Sequence, residues 1–211
     1  MFNHSRKEQN PLKPDVTNAI DALKAGGLIA YPTETVYGLG CGLFFPDAIE
    51  RLYRLKERDA THAVLVLVNG KSMLESLVED MNPTAEKLIN IFWPGPLTLI
   101  FRAQSHITTQ ITGAGHTLGI RQSPDPWCIQ LLEHFQQPII STSANPTGLP
   151  PAATYQEVLH YFPQVLDAVI DGGPRQKGRP STVCDVSSKS VNLLREGDIT
   201  FEQIKEVIGD V

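Results

Sequence analysis

The sequence predicts an α/β fold built on a mixed sheet. Apolar runs short enough to be buried strands alternate with segments of helical periodicity along most of the chain. Toward the C-terminal end the strands crowd together, and several links there are too short for the crossovers that parallel pairing needs. At 211 residues and 41% hydrophobic content, the chain can also bury a sizeable core without disulfide or metal staples.

Residues 1–14 are polar and lack the apolar stretch of a secretory signal, so they read as a mobile arm, with one domain expected over 15–211. From Asp15, Val16, Ala19, Ile20 and Leu23 fall at i, i+3, i+4 and i+7. Gly26 and Gly27 then stop the helix this spacing predicts. Leu28-Ile29-Ala30 reads as a buried strand ending at Pro32, which has no N–H for a central ladder. It releases Thr33, Glu34 and Thr35 into a bend, with Gly38 and Gly40 free to turn the backbone. Asp47 is placed to cap a helix that carries Ile49, Leu52, Tyr53 and the stem of Lys56 on its apolar side and ends near Arg58. Residues 63–68 form a continuous apolar run, the pattern of a strand buried on both faces.

Asn82-Pro83 opens a helix through Phe92. Trp93-Pro94-Gly95-Pro96 breaks it, and residues 97–101 and 117–121 follow as strands. A helix over 126–135 leads to the buried strand 138–140, which ends in the polar run Ser141-Thr142-Ser143-Ala144-Asn145. Thr154 with Glu157 and Thr200 with Gln203 form capping boxes for two further helices. Short strands over 168–170, 182–186 and 191–194 lie between them.

Composition removes several classes of function. A net charge of −5 gives the whole chain no attraction for polyanions. No apolar run is long enough for a helical membrane span. Cys41, Cys128 and Cys184 are far apart and form no C-x-x-C pair, which fits reduced thiols in the cytoplasm. The histidines lack H-E-x-x-H spacing, no G-x-x-x-x-G-K-[ST] loop is present, and no G-x-S-x-G elbow frames a nucleophilic serine.

Two polar clusters remain beside apolar sequence. Lys56-Glu57-Arg58 follows a helix, where cations also simply offset the macrodipole. Ser141 to Asn145 follows a strand, where short polar side chains also simply stabilise a turn. Together with Arg121, Ser181 and Arg195 they form a set of cations and hydroxyls at strand ends. Such a set suits a polyanion such as a nucleoside triphosphate, with arginine forks for phosphate or carboxylate.

The residues also carry a resemblance. Tyr31-Pro-Thr-Glu-Thr-Val-Tyr-Gly-Leu-Gly40, Lys56-x-Arg58, Trp93-Pro-Gly-Pro-Leu-Thr98, the strand with Arg121, Ser141-Thr-Ser-Ala-Asn145 with Gly148, and Ser181-Thr-Val183 with Asp185 occur in that order. The chain resembles the YrdC/TsaC-like threonylcarbamoyl-AMP synthases. The resemblance implies a twisted mixed α/β sheet with flanking helices and a deep ligand cleft. It implies that ATP, L-threonine and bicarbonate are joined into threonylcarbamoyl-AMP with release of pyrophosphate, Mg²⁺ accompanying the ATP. It also implies partner proteins that transfer the threonylcarbamoyl group to tRNA, a contact with tRNA itself, and no membrane.

Position by position, the resemblance assigns Lys56, Arg58, His62, Thr117, Ser143, Asn145 and Arg195 to the nucleotide. Lys56 and Arg58 would counter phosphate charge during the reaction. Thr35, Arg121, Ser141 and Ser181 fall to threonine, with Arg121 as the clamp for its carboxylate. Two other readings share the same residues: an RNA-binding maturation module, and a paralogue that adenylates another carbamate.

Overall fold

The computed structural model describes residues 12–57, 64–176, 178–188 and 190–209. The arm expected at residues 1–14 lies mostly outside them, and Pro14 already belongs to the first helix. In chain order the elements are α1 (Pro14–Lys24), β1 (Ile29–Pro32), β2 (Tyr37–Gly42), α2 (Pro46–Leu55), β3 (Leu65–Leu67), α3 (Lys71–Glu75), α4 (Pro83–Phe92) and β4 (Leu97–Arg102). There follow α5 (Thr109–Thr112), β5 (Thr117–Arg121), α6 (Pro126–Phe135), β6 (Ile139–Ser143), α7 (Tyr155–Tyr161), β7 (Ala168–Val169), β8 (Thr182–Asp185), β9 (Asn192–Arg195) and α8 (Phe201–Ile208).

The strands form one sheet in the order β7-β1-β2-β6-β3-β5-β4-β8-β9. It is mixed, as expected: β1 with β7, β3 with β5 and β4 with β8 are parallel, and the other neighbours are antiparallel.

Local signals account for most helices. α1 buries Val16, Ala19, Ile20 and Leu23, the residues its spacing selects. Asn82 caps α4 by accepting from Ala85 N–H, and both capping boxes form, Thr154 with Glu157 and Thr200 with Gln203. Asp47 is not a cap. Phe45 holds that position, Pro46 opens α2, and Asp47 in the first turn contributes only its charge at the positive helix end. α2 stops at Leu55 with Lys56 as its C-cap, ahead of the expected end at Arg58. The short helices α3 and α5, five and four residues long, had no periodic signature to betray them.

The largest departure concerns the glycines after β1. Gly38 and Gly40 do not turn the chain; they lie in β2, paired with β1 on one side and β6 on the other. A Cβ on Gly40 would stand 2.6 Å from the Ile140 carbonyl oxygen and 3.0 Å from the Tyr31 ring, so the missing side chain lets β6 and Tyr31 close in. β6 likewise runs on through Ser143, where the polar run was expected to be a loop. Hydroxyl side chains do not end a strand when the face they point to is not apolar.

Alternation along the central strands divides the sheet into two faces. Val66, Leu97, Leu99, Phe101, Leu118, Ile120 and Ile140 belong to the larger apolar core, with Ile49 and Leu52 of α2, Leu88 of α4, Val158 of α7 and Ile204 of α8. On the other face Ile29, Tyr31, Leu67 and Ile139 pack with Val16, Ile20 and Leu23 of α1 and Leu131, Leu132 and Phe135 of α6. Helices α1 and α6 cover only part of that second face, and the site lies on the remainder.

Candidate active site

Residues alternate with the core on β3, β4, β5 and β6: Leu65 and Leu67, Thr98 and Ile100, Gly119 and Arg121, Ser141 and Ser143. All eight line a cavity of about 630 Å³. The bend between β1 and β2 closes one side with Thr33, Glu34 and Thr35, and Gly178, Pro180, Ser181 and Arg195 close another. The bend is held by the Thr33 hydroxyl, which donates to the Val36 carbonyl at 2.7 Å, a turn that a short β-branched hydroxyl stabilises locally.

Six of the expected site residues therefore meet in one place: Thr35, Arg121, Ser141, Ser143, Ser181 and Arg195. Arg121 ends β5, 9% exposed. Its Nε donates to the Gly95 carbonyl at 2.9 Å and its Nη2 to Glu34. Gly95 is required where it stands, since a Cβ would lie 2.1 Å from the Phe92 carbonyl oxygen. Arg195 ends β9 and donates to the Ser181 carbonyl from Nε at 3.1 Å and Nη2 at 2.9 Å. Both guanidinium groups are thus gripped along one edge, and neither Nη1 has a hydrogen-bond partner among the described residues. Burial lowers the pKa of each from the ordinary arginine value, and for Arg121 the charge of Arg195 pushes the same way. An anion placed at either Nη1 relieves that cost.

The hydroxyls are oriented by neighbours. Tyr31, fully buried, donates to Ser141 Oγ at 2.7 Å, so the Ser141 proton is free to turn toward the cavity. Burial raises the Tyr31 pKa, which keeps the phenol a donor. Thr98 and Ser181 share a hydrogen bond of 2.9 Å between their hydroxyls.

Lys56 and Asn145 do not line the cavity. Lys56 is 6% exposed, and its ammonium donates to the Ser143 carbonyl at 2.8 Å, the Asn145 carbonyl at 2.6 Å and Asn145 Oδ1 at 2.9 Å. Asn145 Oδ1 also accepts from Ser143 Oγ at 2.6 Å, and its amide donates to the Pro146 and Leu149 carbonyls. This is a clip that fixes the end of β6 behind the cavity wall. Thr117 begins β5, paired with Arg102, and is not in the wall. Arg58 and His62 lie outside the described residues.

Glu34, Ser123, Thr98 and Tyr31 were not assigned from sequence. Glu34 lies within the Thr-Glu-Thr bend, and a carboxylate there was the signal. Its Oε2 accepts from Ser123 Oγ at 2.9 Å while Oε1 accepts from Arg121. Nearby, Asp125 caps α6 through Trp127 N–H at 2.9 Å and pairs with Arg175 at 3.4 Å; burial raises its pKa.

Fold and site together define an α/β protein with a cavity on the open face of its mixed sheet, lined by two guanidinium groups and several hydroxyls. Residues 21–197 match the Sua5/YciO/YrdC family model, described as "Telomere recombination", and the chain belongs to that family. It is 34% identical over 189 residues to a threonylcarbamoyl-AMP synthase of Pyrococcus abyssi, covering 90% of this chain and 56% of the relative. It is 34% identical over 180 residues to the threonylcarbamoyl-AMP synthase of Cellvibrio japonicus, covering 85% of this chain and 95% of that one. The structure of P. abyssi Sua5 complexed with L-threonine superposes with a TM-score of 0.87 at 34% identity, over 93% of this chain and 58% of that one. Escherichia coli YciO superposes with a TM-score of 0.82 at 25% identity, over 93% and 95%. The chain thus spans little more than half the length of the longer relatives and nearly all of the shorter ones.

Proposed function

We propose that the chain synthesises L-threonylcarbamoyladenylate from L-threonine, bicarbonate and ATP, releasing pyrophosphate and water. The observation that carries this reading is the pair of arginines in one cavity, each with Nη1 unengaged among the described residues. One takes the amino acid's carboxylate and the other the nucleotide's phosphates, which brings two anionic substrates together. Arg121 clamps the threonine carboxylate, with Thr35, Ser141 and Ser181 around the rest of the molecule. Arg195 and Ser143 face the phosphates. Lys56 and Asn145 shape the Ser143 segment from behind and add one positive charge there. Arg58, His62 and Thr117 remain assigned to the nucleotide by resemblance.

In this reading the threonine amine takes up CO₂ from bicarbonate, and a carbamate oxygen attacks the α-phosphate as pyrophosphate leaves. The protein aligns the two substrates, neutralises charge and keeps water from the labile carbamate and adenylate. Among the described residues no group of three or more His, Cys, Asp or Glu gathers into a metal site. A donor set of hydroxyls and arginines fits Mg²⁺ held mainly by ATP phosphates and water, where it would shield phosphate charge. The adenylate would then pass to proteins that transfer the threonylcarbamoyl group to tRNA. No helix among the described residues is long and apolar enough to cross a membrane, which suits a cytoplasmic setting.

Incubation with ATP, Mg²⁺, bicarbonate and each amino acid in turn, followed for pyrophosphate and acyl-adenylate, tests the proposal. The expected result is adenylate with L-threonine, lost in Arg121→Gln and Arg195→Gln. Adenylate with another amino acid alone would identify a paralogue acting on a different carbamate. No adenylate with any amino acid would overturn the proposal.

A further inference from the structure

The two arginines are kept in different electrostatic company. The grip on Arg195 is neutral throughout: the Ser181 carbonyl, and Ser181 Oγ at 3.2 Å from Nη2. Arg121 is gripped by a neutral carbonyl, that of Gly95, and by the Glu34 carboxylate, itself fastened by Ser123. The Arg121 and Glu34 side chains are 10% and 24% exposed, so water screens their pairing only partly. Arg121 is buried and Arg195 exposed, and among the described residues each offers the same cavity one guanidinium nitrogen without a hydrogen-bond partner.

From this difference we infer that Glu34 is a specificity-determining residue: it cancels the charge of Arg121, which reserves that arginine for the carboxylate of a zwitterion and leaves Arg195 to the phosphates. The inference rests on the threonine-plus-ATP reading above. A pyrophosphate or triphosphate brought to Arg121 sets several negative charges beside the Glu34 carboxylate with little water between them, and such like-charge contacts reject the wrong ligand. An amino acid brings one carboxylate and its own ammonium, so its approach leaves the Arg121–Glu34 end neutral. Without the Glu34 charge both ends would attract phosphate, and ATP would compete with threonine for the cavity both must share.

Glu34→Gln is the test, because its amide oxygen can still accept from Arg121 and its NH2 can donate to Ser123 Oγ in place of the bond Oε2 accepted, while the charge is gone. Calorimetric titration with inorganic pyrophosphate should find one bound equivalent in the wild type and a second in Glu34→Gln. Saturating pyrophosphate should leave wild-type L-threonine affinity nearly unchanged but weaken that of Glu34→Gln by about tenfold or more, the scale of a buried charge contact. One equivalent in Glu34→Gln, with threonine affinity indifferent to pyrophosphate, overturns the inference. Arg121→Gln tests it independently of how Glu34→Gln folds. This variant should lose threonine binding yet still take up one pyrophosphate at Arg195, and complete loss of pyrophosphate binding there also overturns the inference. Should the wild type form no adenylate, the proposed function fails, while the pyrophosphate stoichiometry of the two variants still decides the role of Glu34.

Discussion

Replacing Lys56 by methionine keeps the volume of the stem and removes a buried ammonium with at least three acceptors. Their losses differ. Asn145 Oδ1 still accepts from Ser143 Oγ, and the Ser143 carbonyl still accepts from Asn145 N–H at 3.0 Å. The Asn145 carbonyl loses its 2.6 Å partner. A buried carbonyl left bare costs about 1–3 kcal/mol, and losing two further charge-assisted bonds that are partly replaced adds about 1–2 kcal/mol more. The variant should therefore be less stable by about 2–5 kcal/mol. In a domain of this size that corresponds to a melting temperature lower by about 4–20 °C. Urea unfolding followed by the fluorescence of Trp93 and Trp127, with calorimetry for the melting temperature, measures it. Lys56→Arg should not rescue, because a planar fork cannot bring its donors to one point. A methionine variant within about 1 kcal/mol of wild type would refute the clip and return Lys56 to the role of a surface cation.

Gly40→Ala forces a Cβ to within 2.6 Å of the Ile140 carbonyl oxygen, so a loss of about 1–3 kcal/mol in urea unfolding is expected, and an unchanged midpoint would contradict the close strand contact. Tyr31→Phe removes the donor that turns the Ser141 proton toward the cavity; threonine affinity by calorimetry should fall by roughly three- to tenfold with ATP affinity unchanged, and equal loss of both would point to general disruption. Burial pushes the thiols of Cys41 and Cys128 up to about 12 and that of Cys184 up to about 11, against an ordinary value of 9.0. Above that ordinary value the unfolded chain releases these protons before the folded one does. Stability is therefore complete below about pH 9 and falls as pH rises toward 11–12. Urea midpoints across this range should show the decline, and Cys128→Ala should make it shallower; an identical slope in the variant would remove Cys128 as a cause.

The longer helices and both capping boxes were legible in the sequence because each depends on residues within a turn or two of one another, and the mixed character of the sheet was legible from links too short for parallel crossovers. Much of the site was legible for a related reason. Arg121, Ser141, Ser143, Ser181 and Arg195 are polar residues at the ends of short strands, and such residues are expensive to bury unless something in a cavity uses them. Thr35 lies in the bend that Pro32 announces, and the family resemblance singled it out there. The glycines of β2 were misread because Gly38 and Gly40 look the same in a turn and in a strand pressed between two neighbours. Only the approach of Ile140 and Tyr31 distinguishes the cases.

The sequence by itself therefore determined the longer helices, most of the strands, the sheet class and the chemical types of the groups that reach the cavity. Tertiary structure alone decided which of those groups face the cavity and which are spent on the protein. Lys56 meets Asn145 across 89 positions and Arg121 meets Glu34 across 87. At such separations no local rule sets the partner, because a hydrogen bond spans about 3 Å and only the folded sheet brings those atoms within reach of each other.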